Sequence, residues 1–242
     1  MVDPGAPASA SFSPRLAQLG AARVWAVLQE VGFAIAGKVV LEYAPGAASL
    51  SGALQQAGAG ALHRIEAVPS EGQSASEPRR AGYDVIVSVG GHAFLEPEAA
   101  ETALAWFYDN LAPEGSLVVT TPTIFADLTP DLGGVLRTPL AHLLFPRFIL
   151  DEHLAARGEA AMRLPAPYCG ATWLMLFHSA GFAIDHFVRH TTEVPEEILQ
   201  RFADKLGRYE PQELRTSAVT AILRRPAQLP DLSPIAIARE SR

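Results

Sequence analysis

The chain has 242 residues, 49% of them apolar, and carries 19 Lys and Arg against 26 Asp and Glu, a formal charge of -7. That length suits one domain able to bury its core without disulfide or metal support. The acidic balance argues against partners held by phosphate neutralisation, so neither nucleic acid nor an anionic membrane surface is expected.

Cys169 is the only cysteine, which excludes an intrachain disulfide or a cysteine-rich zinc site and suits a reducing compartment. The start, MVDPGAPASASFSP, lacks the basic and apolar stretches of a signal peptide, and no apolar run approaches the roughly 18 residues of a membrane span. A soluble cytoplasmic protein is the expectation. Lys38 and Lys205 are the only lysines and alanine is abundant, a bias of high-GC, bacterial coding.

Residues 1–13, rich in Pro, Ala and Ser, cannot bury enough surface to order themselves. Leu16, Leu19, Val24, Val27, Leu28 and Val31 then recur at helical spacing, predicting an amphipathic helix over 14–31 that caps one edge of the core. KVVLEY at 38–43 reads as a strand, APGAAS as a turn, and 50–59 as a helix. Further strands are expected at 61–67, 83–89 and 115–121, with a helix over 97–111 stopped by 113–115.

Nearly continuous apolar strands alternating with helices define an α/β, doubly wound, mainly parallel sheet covered on both faces. Residues 122–170 interrupt the rhythm with short helices at 140–144 and 148–157 and with prolines at 139, 146, 165 and 167. An insertion of that length reads as a helical lid. A helix at 172–180, a strand at 182–188, a helix at 195–206 and a strand at 217–225 complete the pattern. Three units follow: 1–37 as a disordered start and capping helix, 38–225 as the main domain with its 122–170 insertion, and 226–242 as a tail.

Over 38–225 these residues resemble class I S-adenosylmethionine-dependent methyltransferases. The likeness rests on KVVLEYAPGAAS as first strand and nucleotide loop, on YDVIVSV, on NLAPEGSLVVTTP and on HSAGF leading into a strand. It implies a Rossmann-like fold ending in an antiparallel pair, S-adenosylmethionine as cofactor, and methyl transfer to oxygen or nitrogen of a small metabolite. The competing reading is a methyltransferase-like protein without transfer activity, acting as a binding or partner subunit or through other chemistry in the same pocket.

The resemblance places the cofactor loop at Tyr43, Ala44, Gly46 and Ala48, where only Gly46 keeps the glycine that lets backbone approach the ligand. Glu42 corresponds to the acid facing the methionine portion, and Glu66, 20 positions beyond Gly46, to the acid that accepts from the ribose hydroxyls. Val89 and Gly90 end the strand on the other side. Between Glu66 and Asp84 only PSEGQSASEPRRAG is available, so the sheet is expected to lack one strand and the acid that would hold the adenine amino group.

Aligning a nucleophile with the methyl group is the main catalytic demand, and a positioned base helps when that nucleophile is a hydroxyl or amine. His92, in SVGGHAF after the third strand, is the candidate base. His142, Arg147, Tyr168 and His178 are candidate acceptor contacts in or beside the insertion. Asp151, Glu152 and His153 are consecutive on a helix and diverge, so no metal is expected. The apolar segment 139–154 would cover a small-molecule acceptor or form the contact surface of a homodimer.

Overall fold

The computed structural model describes residues 14–44, 49–66, 82–89, 97–126, 138–156 and 168–227. The expected disordered start (1–13), most of the tail, and the segment 67–81, where a strand is expected to be lacking, lie outside them.

Six strands form one sheet in the order β2-β1-β3-β4-β6-β5. They are β1 (Val39–Tyr43), β2 (Ala61–Ile65), β3 (Tyr83–Val89), β4 (Leu111–Pro122), β5 (Ala183–Thr191) and β6 (Thr216–Arg224). β1 pairs in parallel with β2 and β3, and β3 with β4, whereas β6 runs antiparallel to both β4 and β5. The order reverses at β1, with β2 on one side and β3 on the other, so the carboxyl ends of β1 and β3 form a topological switch point.

Alternation along the strands explains the two covered faces. Val40, Val85, Val87, Val89, Val118 and Ile222 point to one side, where α1 (Pro14–Glu30) lays down Val24, Val27 and Leu28. Helix α1 therefore lies across a face of the sheet, which corrects its placement at an edge. Leu41, Tyr43, Ile86, Leu117, Val119, Val219 and Leu223 point to the other side, onto α3 (Pro97–Asn110) and α6 (Gly170–Ser179) through Leu104, Phe107, Trp173 and Phe177. Burying one such leucine or phenylalanine contributes about 1.5–3 kcal/mol.

Strand β4 begins four residues earlier than the sequence pattern suggests, because LAPEG is a bulge inside the strand. Tyr83 pairs with Leu111 and Val85 with Ser116, and Glu114 sits at φ 61 in the bulged stretch. Gly115 is required there, since a Cβ would lie 2.8 Å from the Ala112 carbonyl oxygen and 2.9 Å from that of Tyr83. A bulge consumes Pro and Gly without ending a strand, which hides it from a turn-based reading.

The described part of the insertion holds α4 (Ala141–Leu144) and α5 (Arg147–Ala155). The expected helix at 195–206 is split at Phe202 into α7 (Glu196–Arg201) and α8 (Ala203–Leu206), and α9 (Pro211–Arg215) was not expected at all. Phe125, Leu140, Leu144, Leu206 and Leu214 form one buried cluster, so α4 shares its core with α8 and α9. Lys205 Nζ also donates to the Leu144 carbonyl. These helices thus form one small helical cap of shared core, built from two separate stretches, one after β4 and one after β5.

Helix α6 is tied to this region at its start. Its first amide, Gly170 N, donates to Glu213 Oε2 at 2.8 Å, and Arg189 Nη2 donates to Glu213 Oε1 at 3.1 Å. A carboxylate at a helix N-terminus satisfies an otherwise unpaired amide and complements the helix dipole. Glu213→Ala is expected to destabilise the fold by about 1–2 kcal/mol in urea unfolding, because the half-buried Arg189 loses its anion. A change below about 0.3 kcal/mol would show the contact to be idle.

Candidate functional site

At the switch point Glu42 is fully buried at the end of β1. Its carboxylate accepts from the Leu50 amide, from Ser49 Oγ at 3.0 Å to each oxygen, and from Ser51 Oγ. These donors stand at the start of α2 (Ser51–Gln56), so Glu42 fastens the return of the chain after the loop that follows β1. The sequence offered Glu42 as a ligand to the cofactor, and its visible task is to hold that helix. Tyr43 and Ala44 are buried beside it, and Val89 is buried at the end of β3. Gly46, Ala48, Gly90 and the candidate base His92 lie outside the described residues.

Glu66 follows β2 directly and its side chain is 73% exposed, 3.7 Å from Arg64 Nη2. A carboxylate presented this way at the carboxyl edge can accept from two neighbouring hydroxyls. Ser88 of β3, in register with Tyr43 of β1 and Val119 of β4, is fully buried and its hydroxyl has no hydrogen-bond partner among the described residues.

The four acceptor-contact candidates separate. His142 Nε2 is 2.6 Å from the Ile124 carbonyl oxygen, and Ile124 N donates to the Tyr168 carbonyl at 2.9 Å, so both meet the segment that leaves β4 at the carboxyl edge. Tyr168 packs edge-on against Trp173 with ring centroids 4.9 Å apart, and burial pushes its phenol above the ordinary range. Arg147 is engaged with Asp151 at 2.9 Å on the surface of α5, and His178 is exposed on α6.

A polar network escaped the sequence reading. Thr120 Oγ1 donates to the Val219 carbonyl at 3.2 Å, Thr220 Oγ1 donates to Thr120 Oγ1 at 3.1 Å, and His190 Nε2 stands 2.7 Å from Thr220 Oγ1. With the threonine protons spent in that order, Thr220 accepts from a protonated Nε2. Burial, reinforced by the Arg23 guanidinium on α1, lowers the His190 pKa to about 4. Arg23 also donates to Ser217 Oγ at 3.4 Å. Three residues on three strands make this cluster, and no local spacing announces it.

An open groove of about 830 Å³ lies beyond the end of β5, lined among others by Thr192, Glu193, Gln212 and Arg215. It stands away from the switch point. Among the described residues no group of three or more His, Cys, Asp or Glu could hold a metal ion, and no helix is long and apolar enough to cross a membrane.

No protein-family model matches the chain, and no curated protein matches it in sequence. Solved structures do match in fold. A candidate S-adenosylmethionine-dependent methyltransferase from Listeria monocytogenes aligns over 86% of this chain and 98% of its own, at 16% identity and a TM-score of 0.50. A methyltransferase of the same cofactor class from Methanosarcina mazei aligns over 82% and 98%, at 12% identity and a TM-score of 0.50. The magnesium protoporphyrin IX methyltransferase of Synechocystis, solved with bound S-adenosylhomocysteine, aligns over 91% and 90% at 14% identity and a TM-score of 0.49. The fold is that of the class I S-adenosylmethionine-dependent methyltransferases, with β4, β6 and β5 as its antiparallel end.

Proposed function

We propose that this chain is a cytoplasmic S-adenosylmethionine-dependent methyltransferase acting on oxygen or nitrogen of a small metabolite, with 38–225 as its catalytic domain and 122–170 as part of its lid. The observation that carries this reading is the reversal of strand order at β1. It brings the carboxyl end of β1 beside that of β3, where Tyr43 is in register with Ser88, with the Glu66 carboxylate at the neighbouring edge.

The residues around that edge fit a nucleoside ligand. Ala44 is the smallest side chain that still leaves room for close backbone approach, Glu66 offers paired acceptors, and Ser88 holds an unused buried hydroxyl nearby. When bound, S-adenosylmethionine supplies an electrophilic sulfonium methyl. Glu66 would accept from the ribose hydroxyls, while Glu42 keeps the loop's return fixed through Ser49, Leu50 and Ser51. His92 would take the proton from the acceptor's attacking group, and His142 and Tyr168 would hold the acceptor from the cap side.

Calorimetric titration with S-adenosylmethionine and with S-adenosylhomocysteine tests the reading. A dissociation constant of about 1–100 µM for either is expected, within the range over which enzymes commonly meet their substrates. No heat with either compound at millimolar concentration would overturn it.

A further inference from the structure

We propose that Arg64 is a positioning residue that couples the two halves of the nucleotide site, an inference resting on the cofactor reading above. Strand β2 ends at Ile65, whose carbonyl still accepts from Ala44 N at 3.1 Å. The ladder stops there, one residue before the loop that follows β1. The Ala44 carbonyl then takes a donor from a side chain, Arg64 Nη2, at 3.3 Å.

Ala44 is fully buried, and a buried carbonyl without a donor costs about as much as a lost hydrogen bond. The Arg64 contact therefore fixes the backbone of Ala44 at the carboxyl end of β1. The same guanidinium nitrogen lies 3.7 Å from Glu66 Oε1. One planar, multidonor group thus reaches both the departure point of the loop and the acid after β2, which a lysine's single ammonium does less well.

The physical consequence is preorganisation. Glu66 is mostly exposed, and an exposed carboxylate on a flexible stem must surrender rotamer freedom to accept from a diol. The nearby guanidinium restricts it beforehand, while the same group holds the Ala44 carbonyl at the carboxyl end of β1. Arg64 touches no ligand in this scheme and acts through Ala44 and Glu66.

A double-mutant cycle with S-adenosylhomocysteine as probe tests this by calorimetry, using Arg64→Met, Arg64→Lys, Glu66→Gln and the Arg64→Met/Glu66→Gln pair. Arg64→Met is expected to weaken binding about five- to tenfold, and Arg64→Lys, which keeps the charge, about two- to threefold. In the Glu66→Gln background the cost of Arg64→Met should shrink to about twofold. Equal factors in both backgrounds, or no loss in Arg64→Met at unchanged melting temperature, would overturn the coupling while leaving the cofactor reading intact. Absence of binding by the wild-type chain would remove both.

Discussion

Glu42→Gln is expected to lower the melting temperature by about 6–12 °C, the largest single effect predicted for this fold. The carboxylate is fully buried and accepts from one backbone amide and two serine hydroxyls. Each hydrogen bond to a charged acceptor contributes about 1.5–3 kcal/mol, and the hydroxyls can recover part of the loss by rotating, so the net cost is about 3 kcal/mol. For a domain of this length 1 kcal/mol shifts the midpoint by about 2–4 °C. The opposing term is burial of the charge itself. If desolvation outweighs the three bonds, the neutral amide leaves stability unchanged or raises it. Thermal unfolding of the two proteins at pH 7 separates these outcomes, and a midpoint at or above wild type would refute the assignment of Glu42 as the fastener of α2.

His190 gives the fold a defined acid sensitivity. Its imidazole titrates near 6.5 when unfolded and near 4 when folded, so between those values the unfolded chain binds more protons. Unfolding free energy therefore rises with pH across the window, and the stability present above pH 6.5 is lost as pH falls toward 4. The full shift corresponds to about 3 kcal/mol, reduced to about 2 kcal/mol by the partial exposure of the ring. His190→Gln keeps a donor toward Thr220 and removes the titration. Urea unfolding of both proteins at several pH values isolates the term from the carboxylates, which are common to the two. The difference in stability should narrow or reverse by about 2 kcal/mol between pH 7 and pH 4.5. Parallel pH profiles would contradict the buried neutral state.

The sheet was legible because its signal is local. YDVIVSV at 83–89 is a nearly continuous apolar run, and β3 occupies those residues. The amphipathic spacing of Val24, Val27 and Leu28 likewise located α1, but a stripe says only that a helix is covered, not which face of the sheet covers it. Glu42 was legible as an acid at a strand end, whereas its donors depend on how α2 returns. The His190, Thr220 and Thr120 chain was not legible, because each member is one ordinary polar residue on a different strand and only the antiparallel register aligns them. Arg64 was missed for a related reason: it reaches the Ala44 carbonyl just past the end of the adjacent strand and an acid just past the end of its own.

The cap's divided core has a consequence for synthesis. Leu140 and Leu144 are buried against Leu206 and Leu214, which emerge from the ribosome later. At ~5–20 residues per second the seventy positions separating Leu144 from Leu214 take about 4–14 s to translate. During that interval the first half of the cap is a displayed apolar surface on a growing chain, beside strands β1 to β4 that already have their parallel partners. Strand β6 follows directly after α9, so the residues that close the cap reach the fold only just before the strand that seats between β4 and β5. Nascent chains halted shortly before Leu206 should accordingly engage apolar-binding chaperones, and chains released past Arg224 should not.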